Sequence, residues 1–284
     1  MNRSEQIEFS RSFLRFLRRK EQELTPIVYR ALQAQIRSFI DAGISYANID
    51  IIDTQPIVDA IRKIYTSTGT LWAHQAYLSV RRQAGAKARS PIGFNEYIVN
   101  EILQYFRLRL LNEAVAPITD STKTFIRRVL DRYALTGIDI EDITDELTKS
   151  DLTRVRAKLI ARTEIMKASN VAEQFGVDKT GLQTQKIWIA AQDNRTRNDH
   201  RNVDGQTVAD GAAFTVGVEG YLMDGPGDGT SADGRKVPAK EICNCRCVKG
   251  RKVLRGANGV PLKKSLLDKP GHAGRVPGIS IKLW

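Results

Sequence analysis

Apolar residues recur at helical spacing through roughly the first 175 positions and then lose that rhythm. Phe9, Phe13, Phe16 and Leu17 form a stripe within a charged segment, and Val28, Leu32, Ile36, Phe39 and Ile40 form the next. Pro26 stands near the start of the second stripe, where a missing N–H costs little, so the pattern predicts two helices here. A break over Gly43 to Asp53 precedes a long helix from Pro56 to Gln83, with Gly69 as a point of interruption. Its stripe is imperfect: Ile57, Ile61, Ile64, Leu71, Ala76 and Leu78. After a Gly/Ser/Pro loop, Phe94 to Ala116 reads as a helix carrying Tyr97, Ile98, Ile102, Tyr105, Phe106, Leu108 and Leu110, and Pro117 stops it. Asp120 or Ser121 then caps a helix through Tyr133 that ends at Gly137. Ile140 to Lys149 is a short helix, and Asp151 caps a last one from Leu152 to Phe175, ending at Gly176.

Beyond Gly176, glycine and proline become frequent. Gln183 to Ala190 reads as a strand centred on Ile187, Trp188 and Ile189, Gly205 marks a turn, and Gln206 to Val208 is a short strand. Gly225 to Gly234 is a loop, Ile242 to Val248 alternates as an extended segment, and the chain from Pro270 is irregular. Trp188, Phe214 and Tyr221 are the expected core aromatics. The fold class is α+β: a mainly helical N-terminal region with long helices (1–150), a small α+β module of short strands and long loops (151–250), and a basic C-terminal tail (251–284).

Composition narrows the function classes. With 42% hydrophobic residues among 284, the chain has material for a core, which excludes a wholly disordered protein. No apolar run reaches about 18 residues, so no membrane span is expected. The first 20 residues lack the apolar stretch and small-residue cleavage site of a signal peptide. The net charge of +12 points to a polyanionic partner, and it sits at the two ends. From Arg246 to Trp284 there are ten basic residues and one acid, Asp268, and residues 1–20 hold six basic residues and two acids. These runs read equally as solvated ends. As DNA contacts through phosphates, the candidates are Lys249, Arg251, Lys252, Arg255, Lys263 and Lys264.

Three groups of residues offer chemistry. The three cysteines, Cys243, Cys245 and Cys247, fall within five residues, unlike the spread of a secreted disulfide framework. In a straight strand all three sulfurs would point one way, about 6.6–7 Å apart per step. Zinc with Zn–S bonds of about 2.3 Å requires them closer, so either the segment bends or only two ligate. His200 is the best further ligand, giving a candidate structural zinc site of His200, Cys243, Cys245 and Cys247. The alternatives are cysteines buried as small hydrophobes with His200 bonded to a loop, or a disulfide in an oxidised sample. The second group is Asp193 to His200 followed by Asp204-Gly205. A carboxylate beside a histidine suggests a general base, and with metal a nuclease using His200 with Asp193 or Asp199. A turn held by Asp193 and Asp204-Gly205 is the preferred reading. The third is Arg162-Thr163-Glu164. Arg162 and Glu164, two apart on a helix, face different elements. An ADP-ribosyltransferase would place an arginine and a glutamate this way, but its Ser-Thr-Ser partner is missing.

In order along the chain, Arg162-Thr163-Glu164, Asn170, Trp188, Asp193, Arg195-Thr196, His200, Asp204-Gly205, Phe214 and Asn244-Cys245-Arg246-Cys247 resemble the phage Mu F-like head morphogenesis family over about residues 155–250. The resemblance implies a minor head protein of a tailed bacteriophage, with no established enzymatic activity. It implies a component of the virion or procapsid made in the host cytoplasm and associated with the portal vertex. Its expected partners are the portal protein, major capsid or scaffolding proteins, and non-specifically bound phage DNA. The family often has His-Pro before Asn-Cys-Arg-Cys, and here Ile242 and Cys243 stand there, so Cys243 would take over any ligand role of that histidine. A metal-dependent nuclease and a plain sequence-independent DNA-binding protein are the competing readings.

Overall fold

The computed structural model describes residues 1–87, 89–134, 139–149 and 151–265. The ends expected at Gly137 and Ser150, and the tail beyond Ser265, lie outside the described residues. Helix α1 runs unbroken over Arg3–Asp41, where the pattern predicts two helices. Asn2 caps it: its side chain accepts the Glu5 amide at 3.0 Å, and the Glu5 carboxylate accepts the Asn2 amide at 2.7 Å. Pro26 is tolerated inside because Leu24 and Val28 on either side are buried in one core, so packing outweighs one lost backbone bond.

A short 3₁₀ turn (Tyr46–Ile51) leads to α2 (Gln55–Gln83), with Pro56 in its first turn. Gly69 does not interrupt α2. A Cβ there would lie 2.7 Å from Ile102 Cδ1 and 2.9 Å from the Ala172 Cβ, so glycine serves close helix packing. Helix α3 (Phe94–Tyr105) passes into a π-helical stretch (Phe106–Val115) and on into α4 (Ala116–Ala134). Pro117 therefore stops nothing: it falls where the wider π turn gives way to α-helix and the ladder of backbone bonds is already changing register. Helix α5 (Ile140–Lys149) follows, then α6 (Asp151–Asp178). The expected end of α6 at Gly176 is also corrected. A Cβ at Gly176 would lie 2.1 Å from the Ala73 carbonyl oxygen, so the glycine marks where α6 crosses α2 backbone to backbone.

Helix α6 also supports the module. Strand β1 (Thr184–Ile189) lies between β2 (Thr207–Ala209) and β5 (Val248–Val253), both antiparallel to it. The register sets Lys186 opposite Arg251 and Trp188 opposite Lys249. A hairpin of β3 (Phe214–Val216) and β4 (Tyr221–Met223) and two short helices, α7 (Asn198–Asn202) and α8 (Ala239–Ile242), complete it. Ile242 to Val248 is not one extended run. Ile242 ends α8, Asn244 takes a left-handed φ of 59°, and the strand begins only at Val248.

One apolar core spans both regions, from Phe13, Phe16 and Trp72 through Ala161 and Ile165 to Trp188, Phe214 and Val248, and so crosses the expected boundary at 150. A second core, including Ile36, Phe39, Ile126, Val129 and Leu147, closes the far end of the helices. Trp188 and Phe214 are fully buried and Tyr221 partly so. The α+β class stands. Among the described residues, no helix is long and apolar enough to cross a membrane.

Candidate functional site

The turn at Asn244 decides which sulfurs meet. Cys245 and Cys247 point inward and are 2% exposed, as is His200 on α7, whereas Cys243 stays at the surface. His200 Nδ1 is 3.5 Å from both Cys245 Sγ and Cys247 Sγ. On the other side of the ring, Nε2 lies 3.2 Å from Glu241 Oε2, also 2% exposed. The Trp188 ring packs edge-on against the imidazole at 5.4 Å. The Cys247 thiol, and then His200, hold Cys245 well below the usual thiol range against the opposing effect of burial. Cys245 and then burial hold Cys247 well above it. Burial alone would lower the His200 imidazolium, but the Cys245 sulfur, with a smaller contribution from Glu241, raises it on balance. The expected set of four is thus corrected: His200, Cys245 and Cys247 converge, and Cys243 does not join them.

The other motif residues tie this corner together. Arg162 grips Glu21 of α1 through Nε at 2.9 Å and Nη2 at 2.6 Å, and its Nη1 donates to the Asn244 side chain at 2.7 Å. Thr163 Oγ1 accepts the Asn244 amide at 3.0 Å, which fixes the turn at Asn244. Glu164 accepts from Tyr65 Oη and Lys167 Nζ, both at 3.1 Å. Arg162 and Glu164 do serve different elements. Asp193 closes a turn by accepting from the Arg195 amide and Thr196 Oγ1, and it receives Arg246 through both guanidinium nitrogens. The Arg195 guanidinium itself is exposed, 4.0 Å from Asp193. Asp204 accepts the Ala190 amide at 2.9 Å, and Gly205, at φ +80°, donates to the Trp188 carbonyl.

His200 is buried, its Nε2 faces Glu241, and Asp193 is engaged by Arg246. A cleft of about 1460 Å³ is walled by Tyr65, Tyr105, Thr163, Glu164, Lys167 and Asn244, and is lined by none of His200, Cys245 or Cys247.

Half of the expected DNA contacts are committed elsewhere. Arg251 is 4% exposed, and its Nε and Nη2 reach Glu173 at 2.6 and 2.9 Å. It also pairs with Asp210. Lys249 Nζ is 3.1 Å from Asp224 and 3.6 Å from Glu173. Lys264 Nζ binds Asp178 at 2.5 Å and Asp210 at 2.9 Å. With Lys186, fully buried and 2.6 Å from Asp224, these form an internal network of four cations and four carboxylates. The correction is physical: the antiparallel register turns Lys186, Lys249 and Arg251 onto one inner face, and the acids of α6 and the loops meet them. Lys252, Arg255 and Lys263 stay exposed. Sequence reasoning did not find Glu241, Glu173 or Lys186. Lys186 follows Thr184 and Gln185 in a half-polar strand, so nothing local singles it out.

Residues 125–249 match the family model described as Phage Mu protein F like protein. Minor head protein GP7 of Bacillus phage SPP1 is 32% identical over 101 residues, 35% of this chain and 30% of that protein. NAD(+)--arginine ADP-ribosyltransferase EFV of Enterococcus faecalis is 33% identical over 97 residues, 32% of this chain and 18% of that protein. The matches thus span less than a third of either relative's length. No solved structure matches.

Proposed function

We propose, from the premise that residues 125–249 place this chain in the phage Mu F-like head morphogenesis family, that it is a minor head protein bound at the portal vertex and touching packaged DNA. The observation that carries the reading is the use of the motif. Arg162, Thr163, Asp193, Asp204, Asn244 and Arg246 hydrogen-bond loops of the module to helices or to one another, although Thr163 and Asn244 also line the cleft beside α6. That is the economy of an architectural protein. Detection of the chain in purified heads, and its co-purification with portal protein on co-expression, are the expected results. Heads lacking the chain, with no loss of assembly or infectivity when its gene is removed, would refute the reading.

The DNA contact rests on two exposed surfaces. Lys252 lies on β5, and Arg255 and Lys263 lie in the segment after it. On α1, Arg11, Arg15, Arg18 and Arg19 are exposed and share one face at helical spacing. Arg11 and Arg15, and Arg15 and Arg19, are like charges four residues apart, an arrangement that costs about 0.2–0.5 kcal/mol per pair in an isolated helix. A phosphate backbone relieves that repulsion and suits the forked guanidinium. The slope of log affinity against log salt is expected to shrink by about 0.9 for each phosphate contact removed as these arginines are changed to glutamine. An unchanged slope would take α1 out of the interface.

The relative named as an ADP-ribosyltransferase supports no second reading. The match covers 18% of that protein, and here Arg162 and Glu164 are held by Glu21, Tyr65 and Lys167.

A further inference from the structure

Two sulfurs share one nitrogen inside the module. A neutral imidazole nitrogen offers a single lone pair, so His200 Nδ1 can accept a proton from only one of two thiols placed 3.5 Å away. The other thiol then has no equal acceptor, in a pocket where His200, Cys245 and Cys247 are each 2% exposed. A thiolate–imidazolium pair would bury two charges instead.

We infer that His200 Nδ1, Cys245 Sγ and Cys247 Sγ hold a zinc ion that locks the module's loops together. With Zn–S bonds of about 2.3 Å and a Zn–N bond of about 2.0–2.1 Å, a tetrahedron sets sulfur and nitrogen about 3.6 Å apart. Both contacts here are 3.5 Å, and the three donor atoms lie within 4.8 Å of one another. Two thiolates neutralise the divalent ion, so the filled site buries no net charge at its centre. An imidazole with two thiolates is a soft, tetrahedral donor set that favours zinc over calcium or magnesium.

The surroundings match those of a metal-bound histidine. Such a ligand donates its second ring N–H to a carboxylate, which fixes tautomer and orientation. Glu241 Oε2 stands 3.2 Å from His200 Nε2, and both atoms lack another partner among the described residues. The Cys247 amide points at Cys245 Sγ at 3.4 Å, which suits a thiolate. The left-handed turn at Asn244 sends Cys243 to the surface, so it is no ligand. Among the described residues no further histidine, cysteine or carboxylate joins the three. The ion ties α7 and its preceding turn to the segment between α8 and β5. This inference does not depend on the head-protein reading.

The test uses the full chain, purified without chelator and freed of any histidine tag. Elemental analysis is expected to find stoichiometric zinc, lost in His200→Ala, Cys245→Ser and Cys247→Ser and kept in Cys243→Ser. Because a ligand variant can fail to fold, cobalt exchange into the unaltered protein gives a second readout. A thiolate-to-cobalt charge-transfer band, insensitive to Cys243→Ser, is expected. Glu241→Gln should keep the metal but bind it about 10–100-fold more weakly. Unaltered protein that holds no stoichiometric zinc, even after addition of zinc chloride, would overturn the proposal. So would loss of metal in Cys243→Ser equal to that in Cys245→Ser.

Discussion

The helical region and the module bury different material. In the helices, Phe9, Phe13 and Phe16 close around Trp72 with ring centroids 4.8–5.6 Å apart, a core of dispersion and hydrophobic contact. In the module, Lys186, Lys249 and Arg251 run into the interior and meet Glu173, Asp210 and Asp224. The first core tolerates changes of shape within limits. The second fails when a single partner is removed, because a charge is then stranded away from water. The helices owe their cohesion to area, and the module owes its cohesion to pairing.

The sharpest way to break that contrast is Arg251→Ala or Glu173→Ala, each expected to cost about 3–5 kcal/mol in urea unfolding. The double replacement by methionine should cost less than either single change, and additive losses would contradict the pairing account. In the helical region the corresponding test is steric. Gly176→Ala should cost about 1–3 kcal/mol or more by forcing α6 off α2, and Ala73→Gly should not rescue it, because the clash is with a backbone oxygen. A Gly176→Ala protein with an unchanged midpoint would contradict the backbone-to-backbone crossing.

Acid sharpens the comparison further. Burial alone would raise the Asp210 carboxyl, but Arg251 and Lys264 hold it well below the usual carboxylate range. Its contribution is therefore complete above the unfolded value of about 3.9 and is lost as pH falls from there toward the folded value. Thermal midpoints should decline on acidification below about pH 4. Asp210→Asn should be less stable at neutral pH and should show a shallower acid decline, and an identical decline would remove Asp210 from the network. At the small end, Lys149→Ala breaks an exposed pair with Asp145 and should shift stability by no more than about 0.5 kcal/mol.

The same division governs what could be read before the structure. Helical stripes carry a period, so α2 and α5 were legible nearly to their ends, and the apolar centre Ile187-Trp188-Ile189 made β1 legible too. Pro26, Pro117 and Gly176 misled because their usual local meaning yielded to packing on a shared core and to a change of helical pitch. The thiol cluster was half legible. His200, Cys245 and Cys247 could be grouped by composition, and bending of the segment was one of two foreseen outcomes, but Asn244 gives no warning that it turns Cys243 away. The ion network was not legible at all. Arg251 and Glu173 are 78 residues apart, and only the register of β5 on β1 makes them neighbours.

Helix α6 lies against α1 and α2 along much of its length while Glu173, Asn170 and Thr163 on it receive the module's strands and turns. Excising the segment that matches the family would therefore strip α6 of Phe13, Leu17, Ile61, Ile64 and Trp72 and lay bare its apolar side. A clone that starts at residue 125 should aggregate or recruit the missing helices in trans, so a soluble form needs the chain from its first helix onward.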